Sequence, residues 1–357
     1  MHSGKTAAAV AVLCAVLATG PATAQAHPDF TGTYTNASLT PLARSPANKS
    51  LVVSKEEAAR IVAGTPVLGF NNGGKQDAKV TVDPKTGAPS KGGSDFGTAA
   101  YNTFWVSPGE SLAVVKGEYR TSGIVDPPNG QVPYKDAAAV MKSRQAGFTR
   151  YVTGIGGNAG PEDTNLAERC LLGFSQTGGP GMLSALYNNN YEFVQTKDAL
   201  LIVVEMDHDA RIVPIYGSEA DAKAHHKPNV IKPWLGDSVG WWEGDTLAFE
   251  TANLHPQQQR AGAFVMSPRG KVTERLTREG DGVFYTFTVD DPEMYTQVWK
   301  AEYTFNPIKG HVYEYACHEG NYAMPHMLAG QRMQDEAAAK AAPVKATAKG
   351  RAKIVKD

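Results

Sequence analysis

The sequence predicts a mostly β protein, either an antiparallel barrel of the lipocalin-like kind or a sandwich, with a few short helices. Three observations carry this reading. Short apolar-alternating runs recur through the second half of the chain, each bounded by Gly, Asp, Asn or Pro. Glycine and proline are abundant, at 36 and 22 of 357 residues, which suits a fold with many turns. Helical periodicity is confined to a few stretches. The recurring strand spacing is that of barrels and sandwiches rather than of parallel α/β folds.

The first residues read as a secretory signal. Lys5 supplies the positive start, and Ala7–Leu17 an apolar stretch too short to span a bilayer. Small residues then offer cleavage after Ala24 or after Ala26. Residues 1–26 are therefore expected to be removed, leaving a periplasmic or secreted protein without a membrane span. The rest divides into an irregular N-terminal segment (27–100), a β-rich main domain (101–336) and an Ala/Lys-rich tail (337–357) expected to be disordered. Hydrophobic content of 42% and charged content of 20% are ordinary for a soluble globular chain. A formal net charge of −1 argues against nucleic acid as a partner.

In order along the chain, Phe30–Thr35 starts a strand, and Ser54–Val62 is a helix with Ser54 as N-cap and Glu56 and Glu57 at its positive end. Asn71–Gly97 reads as an irregular surface excursion. Ser111–Val125 is strand-like up to the turn Asp126-Pro127-Pro128-Asn129-Gly130. Lys135–Ala146 is helical, and Tyr151–Gly160 is a Gly-rich loop without the strand–helix context of a nucleotide site. Tyr191–Tyr216 reads as two strands turning at Lys197-Asp198. In the second, Ile202, Val204, Met206, His208, Ala210 and Ile212 share one face, and Glu205, Asp207, Asp209 and Arg211 the other. Trp241–Thr251 is a hairpin turning at Glu243-Gly244-Asp245. Lys271–Arg278, Val283–Asp290, Thr296–Phe305 and Val312–Ala316 complete the strands, and Met324–Glu336 closes the domain as a helix.

Several strings together resemble a family. They are Arg120-Thr121-Ser122 leading to Ile124-Val125-Asp126-Pro127-Pro128, His208-Asp209-Ala210-Arg211-Ile212, Trp242-Glu243-Gly244-Asp245-Thr246-Leu247, and Tyr313-Glu314-Tyr315-Ala316-Cys317-His318-Glu319-Gly320-Asn321-Tyr322. From about Tyr101 to Arg332 the chain is similar to a large family of secreted bacterial proteins common in acidobacteria and sphingomonad-type proteobacteria. The resemblance implies a periplasmic or secreted β-rich protein and brings no agreed mechanism. The family pattern has arginines where Val239 and Trp241 stand here, and Leu254–Gln257 also departs from it.

The candidate chemistry centres on Cys317, His318 and Glu319. The mature chain has two cysteines, Cys170 and Cys317, because Cys14 lies in the signal. In an oxidising compartment they pair as a disulfide; the alternative is a free thiol beside His318 acting as nucleophile or ligand. His318 and Glu319 follow an apolar run, and a tether at Cys317 would hold both at a barrel mouth as a proton-transfer pair. His208 is either a core histidine or an acid–base group facing a cavity. Arg211 is either a clamp for an oxygen of the substrate or a partner of Asp209 or Glu205.

The leading expectation is an enzyme without an organic cofactor. It would use acid–base chemistry of lyase, isomerase or hydratase type on a small apolar or aromatic molecule, with His208, His318, Glu319 and Arg211 as the catalytic set. Two alternatives stand beside it: a non-catalytic carrier of a hydrophobic ligand, and a metal-dependent hydrolase drawing on His208, His225, His226, His318 and Glu319. A metal ion is the one cofactor left open. Trp234, Trp241, Trp242, Tyr187 and Tyr191 could wall an apolar ligand, although tryptophans more often fill cores.

Overall fold

The structure is a computed structural model and describes residues 27–65, 107–153, 159–261 and 263–341. Nine strands close into a barrel: β1 (Gly32–Thr35), β6 (Asn190–Gln195), β7 (Ala199–Val204), β8 (Ala210–Tyr216), β9 (Asp237–Glu243), β10 (Thr246–Ala252), β11 (Lys271–Glu279), β12 (Gly282–Asp290) and β13 (Trp299–Pro307). Closure runs through β1, which pairs with β6 on one side and with Asn306 and Pro307 of β13 on the other. It covers the end of β13 and so removes part of the unpaired strand edge that invites aggregation. The fold is thus a barrel and not a sandwich. Part of the segment expected to precede the main domain is one of its staves. All pairings are antiparallel except β8–β9, whose strands meet at Ile215–Gly240 and Tyr216–Trp241.

A parallel pair requires a crossover. Here residues 217–236 supply it, carrying α3 (Glu219–Ala224) over the outer wall, where Ala222 packs on Val239, Trp241 and Ala248. Val239 and Trp241 therefore seat this helix.

The first half of β13's free edge is taken by β5 (Ile124–Asp126), which pairs with it at Lys300 and Ala301. A small sheet of β2 (Val52–Val53), β4 (Glu118–Arg120) and β3 (Val114–Val115) docks on the same strand, with Thr304 donating to the Val114 carbonyl. Under it lies α1 (Lys55–Gly64), where the Ser54 hydroxyl accepts the Glu57 N–H as expected of an N-cap. α2 (Ala137–Thr153) and α4 (Ala323–Ala341) are longer than the helices predicted there, and α4 takes in the first residues of the expected tail. Asn71–Gly97 and residues 154–158 of the Gly-rich loop lie outside the described residues.

The two ends of the barrel differ. Thr196–Asp198, Gly244–Asp245 and Gly280–Asp281 make tight turns at one end. Among the described residues, four connections gather at the other: residues 161–189, the turn 205–209, and residues 253–270 and 291–298. Function-bearing groups are expected among long loops held by a rigid scaffold.

The interior is filled. Tyr191, Phe193, Phe249, Tyr285, Phe287, Trp299 and Phe305 are fully buried, and their rings meet tilted or edge to face, as at Tyr191–Phe305 and Phe287–Trp299. From the long-loop end, residues 176–183 thread in as a plug. Tyr191 Oη donates to the Thr177 carbonyl at 3.0 Å, and the Met182 N–H donates to Tyr285 Oη at 2.8 Å. The plug passes only because its sequence is Gly-Gly-Pro-Gly. A Cβ at Gly179 (φ +81°) would lie 2.9 Å from Arg211 Cζ, and one at Gly181 (φ +76°) 3.1 Å from the Phe264 ring. These side chains and this segment lie inside the barrel, where a ligand cavity was expected.

Candidate functional site

Arg211 is the clearest departure from the sequence reading. The expected strand through Ile202–Ile212 breaks after Val204 into a turn, Glu205–Asp209, with Asp207 and His208 at φ +59° and +51°. The turn resets the alternation. Ile202 and Val204 point into the barrel before it, and Arg211 and Val213 after it, while Ala210 and Ile212 are exposed. Arg211 reaches Glu274 of β11 with two bonds, Nη1 to Oε2 at 2.7 Å and Nη2 to Oε1 at 2.9 Å. Tyr285 Oη donates to the same carboxylate at 2.6 Å. Both charges are buried and paired with each other. Arg211 therefore ties β8 to β11 across the core, its ion pair being with Glu274 rather than with Asp209 or Glu205.

His208 is exposed at the tip of the turn. Its Nε2 accepts the Tyr315 N–H at 2.9 Å and lies 3.3 Å from the Tyr313 carbonyl. His208 sits neither in the core nor in a cavity. It pins the chain segment that follows β13. That segment, expected as strand Val312–Ala316, is irregular: with β1 already paired to β13, it finds no free edge. It runs back along the barrel from the tight-turn end, held at Thr33 by the Ile308 N–H, and ends at the disulfide.

Cys170 and Cys317 are bonded, with Cα atoms 5.6 Å apart. The bond joins the loop after α2 to the segment after β13. Between these two lies an open cleft of about 440 Å³. One wall is Pro161, Glu168, Arg169 and Leu171; the other is His318, Asn321, Met324 and Pro325. His318 is exposed on this wall, whereas Glu319 is exposed beyond it and is not among the lining residues.

The cleft holds groups that sequence reasoning passed over. Burial pushes the Glu168 carboxyl above the usual carboxylate range, opposed by the Asn165 backbone. Arg169 Nη1 donates to Gln257 Oε1 at 3.1 Å. Gln257 belongs to the 254–257 segment that follows β10. His255 of the same segment lies against Trp234, ring centroids 3.9 Å apart; burial, and after it the charge of Arg169, pulls its pKa down. Asn321 Nδ2 donates to the Glu168 carbonyl at 3.1 Å and so links the walls. The available signal for Glu168 and Arg169 was their position immediately before Cys170. A disulfide brings its flanking residues together whatever their separation in sequence.

Beneath the cleft the turn adds two acids. Burial raises Asp207 to about 6, although His318 and His208 pull it down. Burial also raises Asp209 to about 7; the Gly173 N–H and Arg211 oppose this and Asp207 adds to it. Asp207 thus feels both histidines at once.

The other proposed ligands lie elsewhere. His225 stacks on Tyr216, and His226 bridges Asp237 (2.9 Å) and Glu250 (3.3 Å) on the crossover side. Among the described residues, the His/Cys/Asp/Glu atoms that converge at metal-binding spacing are those of Cys170, Asp207 and Cys317, and both sulfurs are spent on each other. The aromatic residues share no wall: Trp241 lies outside the barrel, Tyr191 inside it, and Trp242 against His27 and Phe30. No described helix is long and apolar enough to cross a membrane. No protein-family model matches the chain, and no curated protein matches it.

Proposed function

We propose that this is a secreted barrel protein that takes a small, oxygen-bearing molecule into the cleft at its long-loop end and moves a proton on it. The observation that carries this is the convergence of His318, Glu168 and Arg169 on one cleft. An imidazole and a carboxyl whose pKa burial raises can serve together as an acid–base pair. A guanidinium beside them supplies planar recognition of a carboxylate or carbonyl oxygen. Leu171, Met324 and the two prolines give the apolar surface that an aromatic or aliphatic body would cover. Proton abstraction next to a carbonyl is the first step shared by many lyases and isomerases.

The signal-like N-terminus, the disulfide and the family resemblance support export.

The test is proton exchange. The mature protein in D₂O is incubated with a panel of small aromatic and aliphatic ketones and carboxylates, and deuterium uptake at carbon is followed by mass spectrometry. Uptake on at least one class is expected, lost in His318→Ala and in Glu168→Gln but retained in Glu319→Gln. Uptake that is absent, or indifferent to His318 and Glu168, would sink the reading.

A further inference from the structure

The disulfide carries more apparatus than a staple needs. A carboxylate oxygen of Asp207 and the two sulfurs of Cys170 and Cys317 all lie within 4.8 Å of one another. Asn321 Nδ2 donates to Cys170 Sγ at 3.5 Å. Both cysteines are only partly buried, so a small thiol can approach. Cys170 sits at φ +53°, a left-handed conformation that costs an ordinary L-residue energy and persists only where its surroundings hold it. The bond also joins the two walls of the cleft, one on either side.

We propose that Cys170–Cys317 is an exchangeable disulfide, reduced by a dithiol with Asp207 as proton donor to the departing sulfur, and that its reduction releases one wall of the cleft from the other. The reductant's first thiolate attacks Sγ of Cys317. The S–S electron pair leaves on Sγ of Cys170, which takes its proton from Asp207 while the Asn321 amide donates to it. The second thiolate then attacks its own sulfur in the mixed disulfide, and Cys317 departs and is protonated from water. Two electrons pass to the protein. The dithiol becomes a disulfide, the two cysteines become thiols, and Asp207 regains its proton from solvent.

Asp207 is suited to this. The groups facing it are His208 and Asp209 of its own turn and His318 of the opposite wall. Burial outweighs the two histidines and leaves a carboxyl that still holds a proton near pH 6. When ionised it becomes a negative charge beside the sulfurs and repels an incoming thiolate. Exchange, corrected for the thiolate fraction of the reductant, is therefore fast below about pH 6 and slow above it. The exchange step does not depend on what the cleft binds, so it stands or falls separately from the proton-transfer reading.

The experiment uses the oxidised mature protein and dithiothreitol, with alkylation and mass spectrometry reading the loss of the disulfide between about pH 5 and about pH 8. The wild-type rate, divided by the thiolate fraction, should fall about tenfold or more across this range, as for loss of a general acid. Asp207→Asn should show a flat profile and be about tenfold slower than wild type at the acidic end. Asn also tolerates the left-handed backbone there, so the fold is preserved. Coincident profiles for the two proteins would overturn the proposal, as would a wild-type rate equal to that of global unfolding. Hydrogen exchange in residues 308–322 should rise on reduction and in Cys170→Ser/Cys317→Ser; unchanged protection there would refute the release of the cleft wall.

Discussion

Asp209 offers a stability test whose sign and size both follow from its surroundings. Its side chain is buried beneath residues 173–178, where Oδ2 accepts the Gly173 N–H at 2.9 Å. Burial lifts the carboxyl from an ordinary 3.8 to about 7. A group with a raised folded-state pKa binds its proton more tightly folded than unfolded. Its contribution is full below about pH 4 and is lost as the pH rises to about 7. A displacement of about three units at about 1.4 kcal/mol each sets the loss at up to about 4 kcal/mol, less whatever share belongs to the coupled Asp207. Asp209→Asn removes the titration and keeps a carbonyl oxygen for the Gly173 N–H. Urea denaturation should therefore find the two proteins similar near pH 4 and the variant more stable near pH 8, by about 2–4 kcal/mol. Glu250, which burial would raise but His226, Lys271 and Lys223 hold at about 2, loses stability only as the pH falls below the ordinary carboxylate range. That loss is common to both proteins and cancels. Parallel stability curves between pH 4 and 8, or a variant less stable at pH 8, would refute the account of a buried, proton-retaining carboxyl.

Three further outcomes are expected. Glu274→Leu strands the Arg211 charge in the core and should cost about 3–5 kcal/mol in chemical denaturation, whereas Arg211→Met/Glu274→Leu should recover most of it. Removing the disulfide by Cys170→Ser/Cys317→Ser frees a loop of 147 residues, and the chain-entropy model sets the loss of unfolding free energy at about 5 kcal/mol. Gly179→Ala combines a left-handed backbone with a contact on the Arg211 guanidinium and should cost about 2–4 kcal/mol in thermal or urea unfolding; Gly244→Ala (φ +63°), which meets nothing within 4 Å, should cost only about 1–2.

Much of the barrel was legible because period-two alternation reports directly which face is buried. The hairpins at 243–245 and 279–282 fall where Gly and Asp interrupt that pattern, and Ser54 caps its helix as its chemistry requires. The reading failed where alternation was interrupted without such a signal. Asp207-His208-Asp209 looked like one more polar–apolar step in a strand. Two left-handed residues instead made it a turn, which reversed the facing of Arg211 and moved His208 from a face to a tip. Val312–Ala316 has strand composition, yet β1 had already taken the edge it would need. The local sequence does not record which edges are already filled.

By itself, the sequence determined the fold class, most strand boundaries and the identity of the two cysteines that would meet. Each follows from local pattern or from a count of residues. Only the tertiary structure decided that aromatic rings and a glycine-rich segment enter the barrel, that Arg211 binds Glu274, and that His318 lines one cleft with Glu168 and Arg169. These depend on which surfaces a closed sheet and a disulfide across 147 residues bring together. Burial and proximity then set which acids keep their protons, so Asp207 and Asp209 acquire their character only in the folded chain.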